Sequence, residues 1–528
     1  MNQEIQNPVL PGFHPDPSIV RVGDDYVLAT STFEWFPGIA LFRSRDLANW
    51  KPIGHVLTRG SQLSLLGVGD SAGLWAPSIS YDGVKFHLVV CQVRTRTGPF
   101  KDMSVMLFTA DRIDGPWSDG VCIARSGFDP SLFHDPVTRQ KWLVNIQWDF
   151  RQGMPRFAGI VLQEFDSSKR CCVGPMRTVL TKPHLLEGPN IYYRDGWYYL
   201  MCAEGGTGWN HGISMARARS VTGPYEVDPQ PLVLTTRHSP GNPLQKSGHG
   251  ELVQTRLGEW YLAHLASRPV YPDRRSLLGR ETCIQKVTWS DDGWLRLARG
   301  GIEPDVRVPV PTGIEPYAWP ADPIRDDFDA IALSPHWQTL RVPFDESWAT
   351  LTERPGHLRL RGRESLHSLF EQSLLARRIE SACCTITTKL QFQPTHFTQS
   401  AGLIVYYDTR QHYYLRITHD ERADGRVLGI VQTDDGAYSE LPETQIKLDG
   451  WPDAIHLRAH IDRERLQFSA SADGAAWRAV GCPLDFTRLS DDYGSTLRFT
   501  GPMAGVCCQD LNVASAMADV DFFEMQNH

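Results

Sequence analysis

The sequence predicts an all-β protein in which a five-bladed β-propeller is followed by a β-sandwich. Two observations predict this fold. Short apolar or alternating segments, interrupted by Gly, Asp and Pro about every eight to twelve residues, fill the chain of 528 residues, whereas helical periodicity is hard to find. In the first part of the chain, a turn followed by a strand with a leading aromatic residue recurs five times.

The aromatic residues that lead these five strands define the repeat. They are spaced 60, 56, 56 and 62 residues apart. A period of this size, built from short strands, is typical of a propeller, in which four-stranded blades surround a central channel. Five copies therefore predict five blades. The leading residues are Tyr26, Phe86, Trp142, Tyr198 and Trp260.

A proline-rich segment ends the repeat region. Six prolines lie between positions 304 and 323, and such a stretch forms neither a regular helix nor a central strand. We therefore place the propeller at residues 1–303, a stiff linker at 304–324 and a second domain at 325–528. The second domain shows alternating strand patterns without the long repeat, which favours a two-sheet sandwich.

The composition narrows the class of protein. Hydrophobic residues make up 41% and charged residues 22%, and the formal net charge is −8, values typical of a soluble globular protein without a nucleic-acid partner. No apolar run approaches the roughly 18 residues of a membrane span. The 11 cysteines show neither a disulfide framework nor CxxC spacing, and the N-terminal residues do not form a signal peptide. We expect a cytoplasmic protein without a membrane partner.

A similar short element precedes each leading aromatic residue and opens the innermost strand of its blade. Equivalent positions in successive blades lie on a ring about the propeller axis. Three carboxylates and one imidazole are therefore predicted to project into one end of the channel, although a turn is the ordinary alternative for an Asp beside Pro. The ring positions are Asp16, Ala76, Asp129, Glu187 and His249.

Clustered carboxylates indicate acid–base chemistry. They repel one another, so at least one of their pKa values rises. A protonated acid beside an ionised base is what cleavage of a glycosidic bond requires. Carboxyl groups on separate blades suit the separation of about 6.5–9.5 Å found in inverting enzymes better than the separation of about 5–5.5 Å found in retaining ones.

Five blocks of sequence, in the same order, match a known family. They are NPVLPGFHPDPS at 7–18, STFEWFPG at 31–38, LEGP at 186–189, AEGGT at 203–207 and LGRET at 278–282. By these blocks the chain resembles the β-xylosidases of glycoside hydrolase family 43 over essentially its full length. The resemblance implies a five-bladed propeller followed by a concanavalin-like sandwich that contributes a loop to the active site.

The resemblance also implies an activity. The expected enzyme is an exo-acting, inverting glycoside hydrolase that releases D-xylose from the non-reducing end of β-1,4-xylo-oligosaccharides. An α-L-arabinofuranosidase of the same fold, or an enzyme with both activities, is the first alternative, because the two sugars expose similar hydroxyl patterns. A non-catalytic carbohydrate-binding propeller is the second, and the retention of all three carboxylates argues against it.

The resemblance assigns roles to individual residues. Asp16 would be the general base, Glu187 the general acid and Asp129 the group that raises the pKa of the acid and orients it. Sugar-binding roles are expected for Phe33, Trp75, Trp148, His249 and Arg280. The alternatives are a place in the blade core for the aromatic residues, a structural role for the histidine and a surface ion pair with Glu281 for the arginine. Glu204 is expected to support the site without contacting the substrate.

One position departs from the pattern of related β-xylosidases, in which a sandwich loop brings a phenylalanine into the pocket. Met503 occupies that place here, and the less rigid packing of methionine would change the pocket wall. No cofactor is expected to be required. A divalent cation such as calcium in the channel near His249 is left open, since no cluster of oxygen ligands can be recognised. A homodimer or homotetramer rests on the resemblance alone.

Overall fold

The computed structural model describes residues 4–528, which contain strands and one 3₁₀ turn (Phe486–Arg488) but no α-helix. The chain divides into two compact units. Unit 1 comprises the residues up to Leu63, Ala72–Arg268 and Arg280–Trp319. Unit 2 comprises Ser64–Ser71, Pro269–Gly279 and Pro320–His528. Over residues 4–528, the structure contains no helix of the length and apolarity that a membrane span needs.

Unit 1 is a five-bladed propeller, which confirms the predicted fold. Each blade is an antiparallel sheet in which four strands follow the order of the sequence. From the inside outwards, the strands are Ser18–Val22, Asp25–Thr30, Gly38–Ser44 and Trp50–Leu57 in blade 1; Gly73–Tyr81, Phe86–Val93, Met103–Ala110 and Val121–Ala124 in blade 2; Ser131–His134, Lys141–Trp148, Phe157–Asp166 and Cys171–Leu180 in blade 3; Leu186–Arg194, Trp197–Glu204, Gly212–Ala218 and Glu226–Val227 in blade 4; and Gln245–Gln254, Trp260–Ser267, Glu281–Trp289 and Leu295–Leu297 in blade 5.

Short strands complete unit 1 and join its two ends. Glu4–Gln6 pairs with Arg307–Pro309, Leu234–Thr235 adds to blade 4, and Trp35–Phe36 follows the second strand of blade 1. The Asn7 amide fastens the N-terminal strand, because its nitrogen donates to the carbonyl oxygens of Ile284 at 2.8 Å and Asp305 at 2.9 Å. The proline-rich segment predicted as a linker is divided, since residues through Trp319 belong to unit 1 and residues from Pro320 belong to unit 2.

The cores of the propeller lie between neighbouring blades. Between blades 1 and 5, for example, Leu28 and Phe42 pack in one cluster with Tyr261 and Ile284. Each blade contributes an equivalent face to this packing, which is why the aromatic residues that lead the second strands recur once per blade. The packing brings the innermost strands together around the axis, where their openings meet.

Unit 2 contains the predicted β-sandwich, which has two antiparallel sheets. In sheet order, one contains Ala349–Thr350, Leu358–Arg361, Met517–Asn527, Cys383–Phe392, Ala454–Asp462, Arg465–Ser471 and Arg478–Asp485, with Arg325–Asp326 paired to Met517–Asn527. The other contains Ala437–Lys447, Gly425–Asp434, Gln411–Asp420, Gln399–Asp408, Met503–Asp510, Ser373–Arg378 and Gln338–Leu340. A separate hairpin joins Pro269–Val270 to Arg275–Ser276. Apolar side chains from both sheets, among them Ile386 and Leu415, form one buried cluster.

Candidate active site

A left-handed residue stands at the opening of the innermost strand in every blade. The five residues form a ring about the axis, here called the upper ring: Asp16 (φ 55°), Ala76 (φ 42°), Asp129 (φ 51°), Gly188 (φ 51°) and His249 (φ 39°). This backbone conformation costs a residue with a Cβ about 1–2 kcal/mol. In blades 2, 4 and 5 the ladder is interrupted by a bulge at this point, and such bulges re-aim a side chain at the edge of a site.

The structure corrects the predicted ring at blade 4. Asp16, Asp129 and His249 occupy ring positions as predicted, but the ring position of blade 4 is held by Gly188 and not by Glu187. Counting ten residues back from Tyr198, the interval found in blades 1 and 2, reaches Gly188. Glu187 therefore leaves the backbone one residue earlier, at the place that Trp75 has in blade 2.

Glycine at position 188 is required by its surroundings. Its φ is positive, and a Cβ there would lie 2.8 Å from Nε2 of His249. That imidazole can pack over the opening of blade 4 only because the ring position carries no side chain. Because Gly188 holds the ring position and Glu187 precedes it, blade 4 supplies a carboxyl group and also leaves space for His249.

Asp16 is buried and held by two donors. The Ser31 hydroxyl donates to Oδ2 at 2.7 Å, and the Arg280 guanidinium donates to Oδ1 at 2.9 Å. Burial would raise the pKa of Asp16, but the charge of Arg280, followed by His249 and the hydrogen bond from Ser31, brings it below its ordinary value. Asp16 is therefore ionised at neutral pH.

Asp129 and Glu187 have the opposite electrostatic character. Burial first, and then the charge of Asp16, raises the pKa of Glu187 to about 7. Burial, together with the charges of Glu187 and Asp16, raises the pKa of Asp129 well above its ordinary value, although the Gly188 N–H donates to its Oδ2 at 3.1 Å. The site thus keeps Asp16 ionised, whereas Asp129 and Glu187 retain their protons to a higher pH than ordinary carboxyl groups do.

His249 lies between two of these carboxyl groups. Its Nδ1 is 3.9 Å from Oδ1 of Asp16 and 3.9 Å from Oδ2 of Asp129. Burial lowers the pKa of His249, Asp16 raises it in part, and Arg280 lowers it further. His211 is a neighbour that sequence reasoning missed. Its Nδ1–H donates to the carbonyl oxygen of Lys246 at 3.0 Å, and burial lowers its pKa to about 3, so a neutral imidazole packs behind the ring.

Arg280 faces the ring and not the surface. It is 4% exposed, and besides Asp16 it donates to the Thr207 hydroxyl at 3.1 Å. Its alternative partner, Glu281, accepts from Arg268 at 2.7 Å and from the Gly12 N–H at 3.0 Å. The surface ion pair between Arg280 and Glu281 is therefore absent. Thr207, in the AEGGT block, is a site residue that the sequence prediction did not include.

Aromatic side chains form a continuous wall near the carboxyl groups. Neighbouring ring centroids are 5.8–6.3 Å apart along the series Phe13, Phe33, Trp75, Phe128 and Trp148. The Arg280 guanidinium lies 5.6 Å from the centroid of the Phe33 ring. The structure thus places Phe33, Trp75 and Trp148 in one wall, and their contact with a sugar stays a prediction. Flat apolar faces of this kind are suited to packing against sugar rings.

Lys101 is the most informative residue that sequence reasoning missed. Its Nζ lies 4.7 Å from the centroid of Trp148 and 6.0 Å from that of Trp75, and it donates to the carbonyl of Arg96 at 2.9 Å. Its charge counteracts the rise in the pKa of Glu187. Lys101 is in a loop between two strands of blade 2, where the sequence offers no periodic signal to find it.

Glu204 and Met503 are the remaining predicted residues. Glu204 is buried and accepts from Lys182 at 2.7 Å, beside His184 at 3.0 Å. Its strand pairs with that of Glu187, Leu186 lying opposite Glu204. Met503 begins a strand of unit 2 opposite Arg378 and Tyr406 and is fully buried. Its contact with substrate stays a prediction. Within residues 4–528, no three His, Cys, Asp or Glu side chains form a metal-binding group.

Known proteins show similarity along the whole chain. Residues 5–295 match the family model of the glycosyl hydrolases family 43, and residues 325–526 match that of the beta-xylosidase C-terminal concanavalin A-like domain. A xylan 1,3-beta-xylosidase from Vibrio sp is 42% identical, with 100% of both chains covered. The xylosidase/arabinosidase 43B of Humicola insolens is 42% identical over 98% of this chain and 97% of its own. The crystal structure of a xylan beta-1,4-xylosidase from Bacillus halodurans C-125 has a TM-score of 0.96 and 48% identity, covering 99% of this chain and 100% of its own.

Proposed function

This chain belongs to glycosyl hydrolase family 43, and from that premise we propose an exo-acting, inverting β-xylosidase that releases D-xylose from the non-reducing end of β-1,4-xylo-oligosaccharides. The proposal rests on the convergence of Asp16 and Glu187 at the openings of the innermost strands, where the pKa of Asp16 is lowered and that of Glu187 is raised to about 7, so that an ionised base stands beside a protonated acid. Inverting hydrolysis needs both states at once.

The proposed reaction uses Asp16 as the general base and Glu187 as the general acid. Asp16 takes a proton from a water molecule, and the water oxygen forms a bond to the anomeric carbon of the terminal xylose. Glu187 transfers its proton to the glycosidic oxygen as the bond from that oxygen to the anomeric carbon breaks. The products are xylose of inverted configuration and a shortened oligosaccharide; Asp16 is left protonated and Glu187 ionised, and proton exchange with solvent restores both carboxyl groups.

The other site residues bind and orient in this proposal. Arg280 keeps Asp16 ionised and has further N–H groups for sugar hydroxyls. Asp129, held by the Gly188 N–H, keeps a proton beside Glu187 and fixes its surroundings. Phe33 and Trp75 would pack against the terminal sugar, and Trp148 with Lys101 would contact the next one. Every step is assigned to a protein side chain, so the proposal requires no cofactor.

The names of the relatives support a xyloside substrate, and they also provide two alternatives, a 1,3-linked xyloside and an arabinoside. One relative is named for 1,3-linked xylan, one for 1,4-linked xylan and one for both xylosidase and arabinosidase activity. We propose the 1,4-linkage because the relative named for it has 48% identity, compared with 42% for the others. All eleven cysteines are free thiols, which supports a cytoplasmic enzyme.

The test is to measure kcat/KM for β-1,4-xylobiose, β-1,3-xylobiose and an aryl α-L-arabinofuranoside under the same conditions. The 1,4-linked disaccharide is expected to be the best substrate. A higher kcat/KM for either competitor would overturn the substrate assignment. Proton NMR of the first-formed xylose tests the stereochemistry, and the α-anomer is expected from a β-linkage. An initial β-anomer would refute inversion.

A further inference from the structure

A second ring of polar side chains lies two residues beyond the upper ring in each blade. We call it the lower ring, and its members are Ser18, Ser78, Ser131, Asn190 and Glu251. Four of these side chains are neutral and only Glu251 is titratable. Because the spacing from the upper ring is the same in every blade, the two rings are successive layers around one axis.

A small cavity separates the two rings. Its volume is about 10 Å³, and its lining includes Asp129 and His249 of the upper ring together with Ser18, Ser78, Asn190 and Glu251 of the lower ring. A cavity of about this size holds a single water molecule, provided that two to four polar groups are within reach. The lining supplies them.

Glu251 presents one oxygen to its own scaffold and leaves the other available. Oε2 accepts from the Ile19 N–H at 2.8 Å and from the Ser18 hydroxyl, which in turn accepts from the Ile79 N–H at 2.8 Å. Both hydrogen bonds end on Oε2, so Oε1 is the oxygen that can carry a proton and bond within the cavity. The scaffold thus fixes the rotamer of Glu251 from blades 1 and 2.

The surroundings of Glu251 favour the protonated carboxyl. Burial raises the pKa of Glu251 to about 7, and the hydrogen bonds from Ser18 and Ile19 lower it only in part. The titratable groups that face it are Asp129 and His249 across the cavity and Tyr192 of blade 4, whose hydroxyl accepts from the Leu252 N–H at 2.9 Å. Burial, and then Glu251, raises the pKa of Tyr192, so this phenol stays neutral.

We propose that Glu251 is a positioning residue that holds one water molecule in this cavity through Oε1 and, through that water, sets the protonation of Asp129. When Glu251 is protonated, Oε1–H donates to the water, which donates onward to Asp129. When Glu251 is ionised, Oε1 accepts from the water, and the negative charge beneath the upper ring favours the protonated forms of Asp129 and Glu187. The consequence for catalysis rests on the proposed function.

The central experiment compares Glu251→Gln with the native protein. Glutamine keeps the shape and can still accept from Ser18 and Ile19, but it carries no charge at any pH. We expect the upper limb of kcat/KM against pH, measured with an aryl β-xyloside, to move down by about half a pH unit or more. The kcat at pH 6 should stay within about twofold. An unchanged upper limb would overturn the proposal.

A second variant separates the water from simple charge. Asn190→Leu is nearly isosteric and removes a polar partner of the cavity water while Glu251 remains. A shift of the upper limb is expected here too, because the link to Asp129 is broken while the charge of Glu251 remains. A shift in Glu251→Gln without one in Asn190→Leu would overturn the water bridge. A cation in the cavity would also overturn the water bridge. It would be revealed if EDTA abolished activity and calcium restored it in the native protein but not in Glu251→Gln.

Thermal unfolding provides a readout that does not depend on the reaction. The pKa of Glu251 is raised in the folded protein, so its stabilising proton is fully present below the unfolded value of about 4.5 and is lost as pH rises through about 7. Relative to the native protein, the Tm of Glu251→Gln should therefore rise between pH 5 and pH 8. A pH-independent difference would contradict a buried proton on Glu251, whether or not the protein hydrolyses xylosides.

Discussion

Glu187 in the propeller and Asp408 in the sandwich are buried carboxyl groups whose pKa is raised to about 7 in both cases. Burial is the first cause for each, and a neighbouring aspartate is the second. Their geometry differs. Asp408 is 1% exposed, accepts from the Arg410 N–H at 2.8 Å and lies 3.4 Å from Arg498. Glu187 is half-buried and stands where the openings of five strands converge.

A raised pKa does not by itself identify an active site. A closed ion-pair network produces the same shift as a site that a substrate can reach. The distinguishing feature is the repeated bulge, which brings groups from separate blades to one axis. Glu187 has Asp16 and Asp129 nearby in different protonation states, whereas Asp408 is enclosed by partners that leave no place for a reacting atom.

The largest expected effect is on the two assigned catalytic groups. Glu187→Gln should lower kcat on xylobiose by about 10³–10⁴-fold, and by much less on an aryl xyloside with a good leaving group, because that substrate needs little proton transfer. Asp16→Asn should lower kcat on both substrates to a similar extent, since water activation is needed for either. Steady-state kinetics on the two substrates checks this. Equal losses for Glu187→Gln on both would remove its role as the acid.

Arg280 is expected to have the next largest effect. Arg280→Lys keeps a positive charge but loses the planar fork that reaches both Asp16 and Thr207. We expect kcat/KM to fall by about 10–100-fold. In Arg280→Met the charge is also lost, so the pKa of Asp16 should rise and the acidic limb should move to higher pH. The pH profiles of the two variants check this, and identical acidic limbs would contradict it.

The pH dependence of the native protein follows from the two carboxyl groups. Glu187 must be protonated and its pKa is about 7, so kcat/KM should fall tenfold per pH unit above about pH 7. Asp16 must be ionised and Arg280 holds its pKa below the ordinary value of an aspartate, so the acidic limb should lie at a lower pH than an ordinary aspartate would give. Stopped assays from pH 3 to pH 9 check both limbs. An upper limb that persists unchanged in Glu187→Gln would assign it to another group.

The smallest effect on catalysis is expected in the sandwich. Asp408→Asn removes the nearer of two carboxylates beside the fully buried Arg498, which keeps Asp435 at 3.8 Å, and we expect this change to cost about 2 kcal/mol. That corresponds to about 4–8 °C in Tm for a unit of this size. The kcat, measured well below that temperature, should match the native value. A loss of kcat comparable with that of Glu187→Gln would contradict the conclusion that only Glu187 of these two carboxyl groups takes part in catalysis.

The sequence predicts the five-bladed architecture because the repeat has a physical cause. Each blade must bury an aromatic residue between neighbours, so Tyr26 and its equivalents recur at a readable interval. The same regularity predicted ring positions for Asp16, Asp129 and His249. It fails at blade 4, where the left-handed residue ten positions before Tyr198 is Gly188 and the carboxylate is its neighbour Glu187.

The residues that sequence reasoning missed have no periodic signal or were not compared between blades. Lys101 is in a loop, Thr207 follows two glycines, and Ser31 acts through the bond it donates to Asp16. Glu251 did have a signal, since it follows the upper ring by two residues as Ser18 does in blade 1. Reading two layers of the repeat, and not one, would have found it.

Ala76 is the upper-ring residue of blade 2, and the proposed reaction gives its side chain no role. Ala76 adopts the left-handed conformation with a Cβ already in place, and its N–H donates to the Ser31 hydroxyl at 2.8 Å. A larger residue at position 76 would therefore require no change in the backbone conformation of blade 2. For protein engineering, Ala76 is therefore the ring position that can receive a new side chain, whereas Gly188 cannot, because a Cβ there would meet the imidazole of His249.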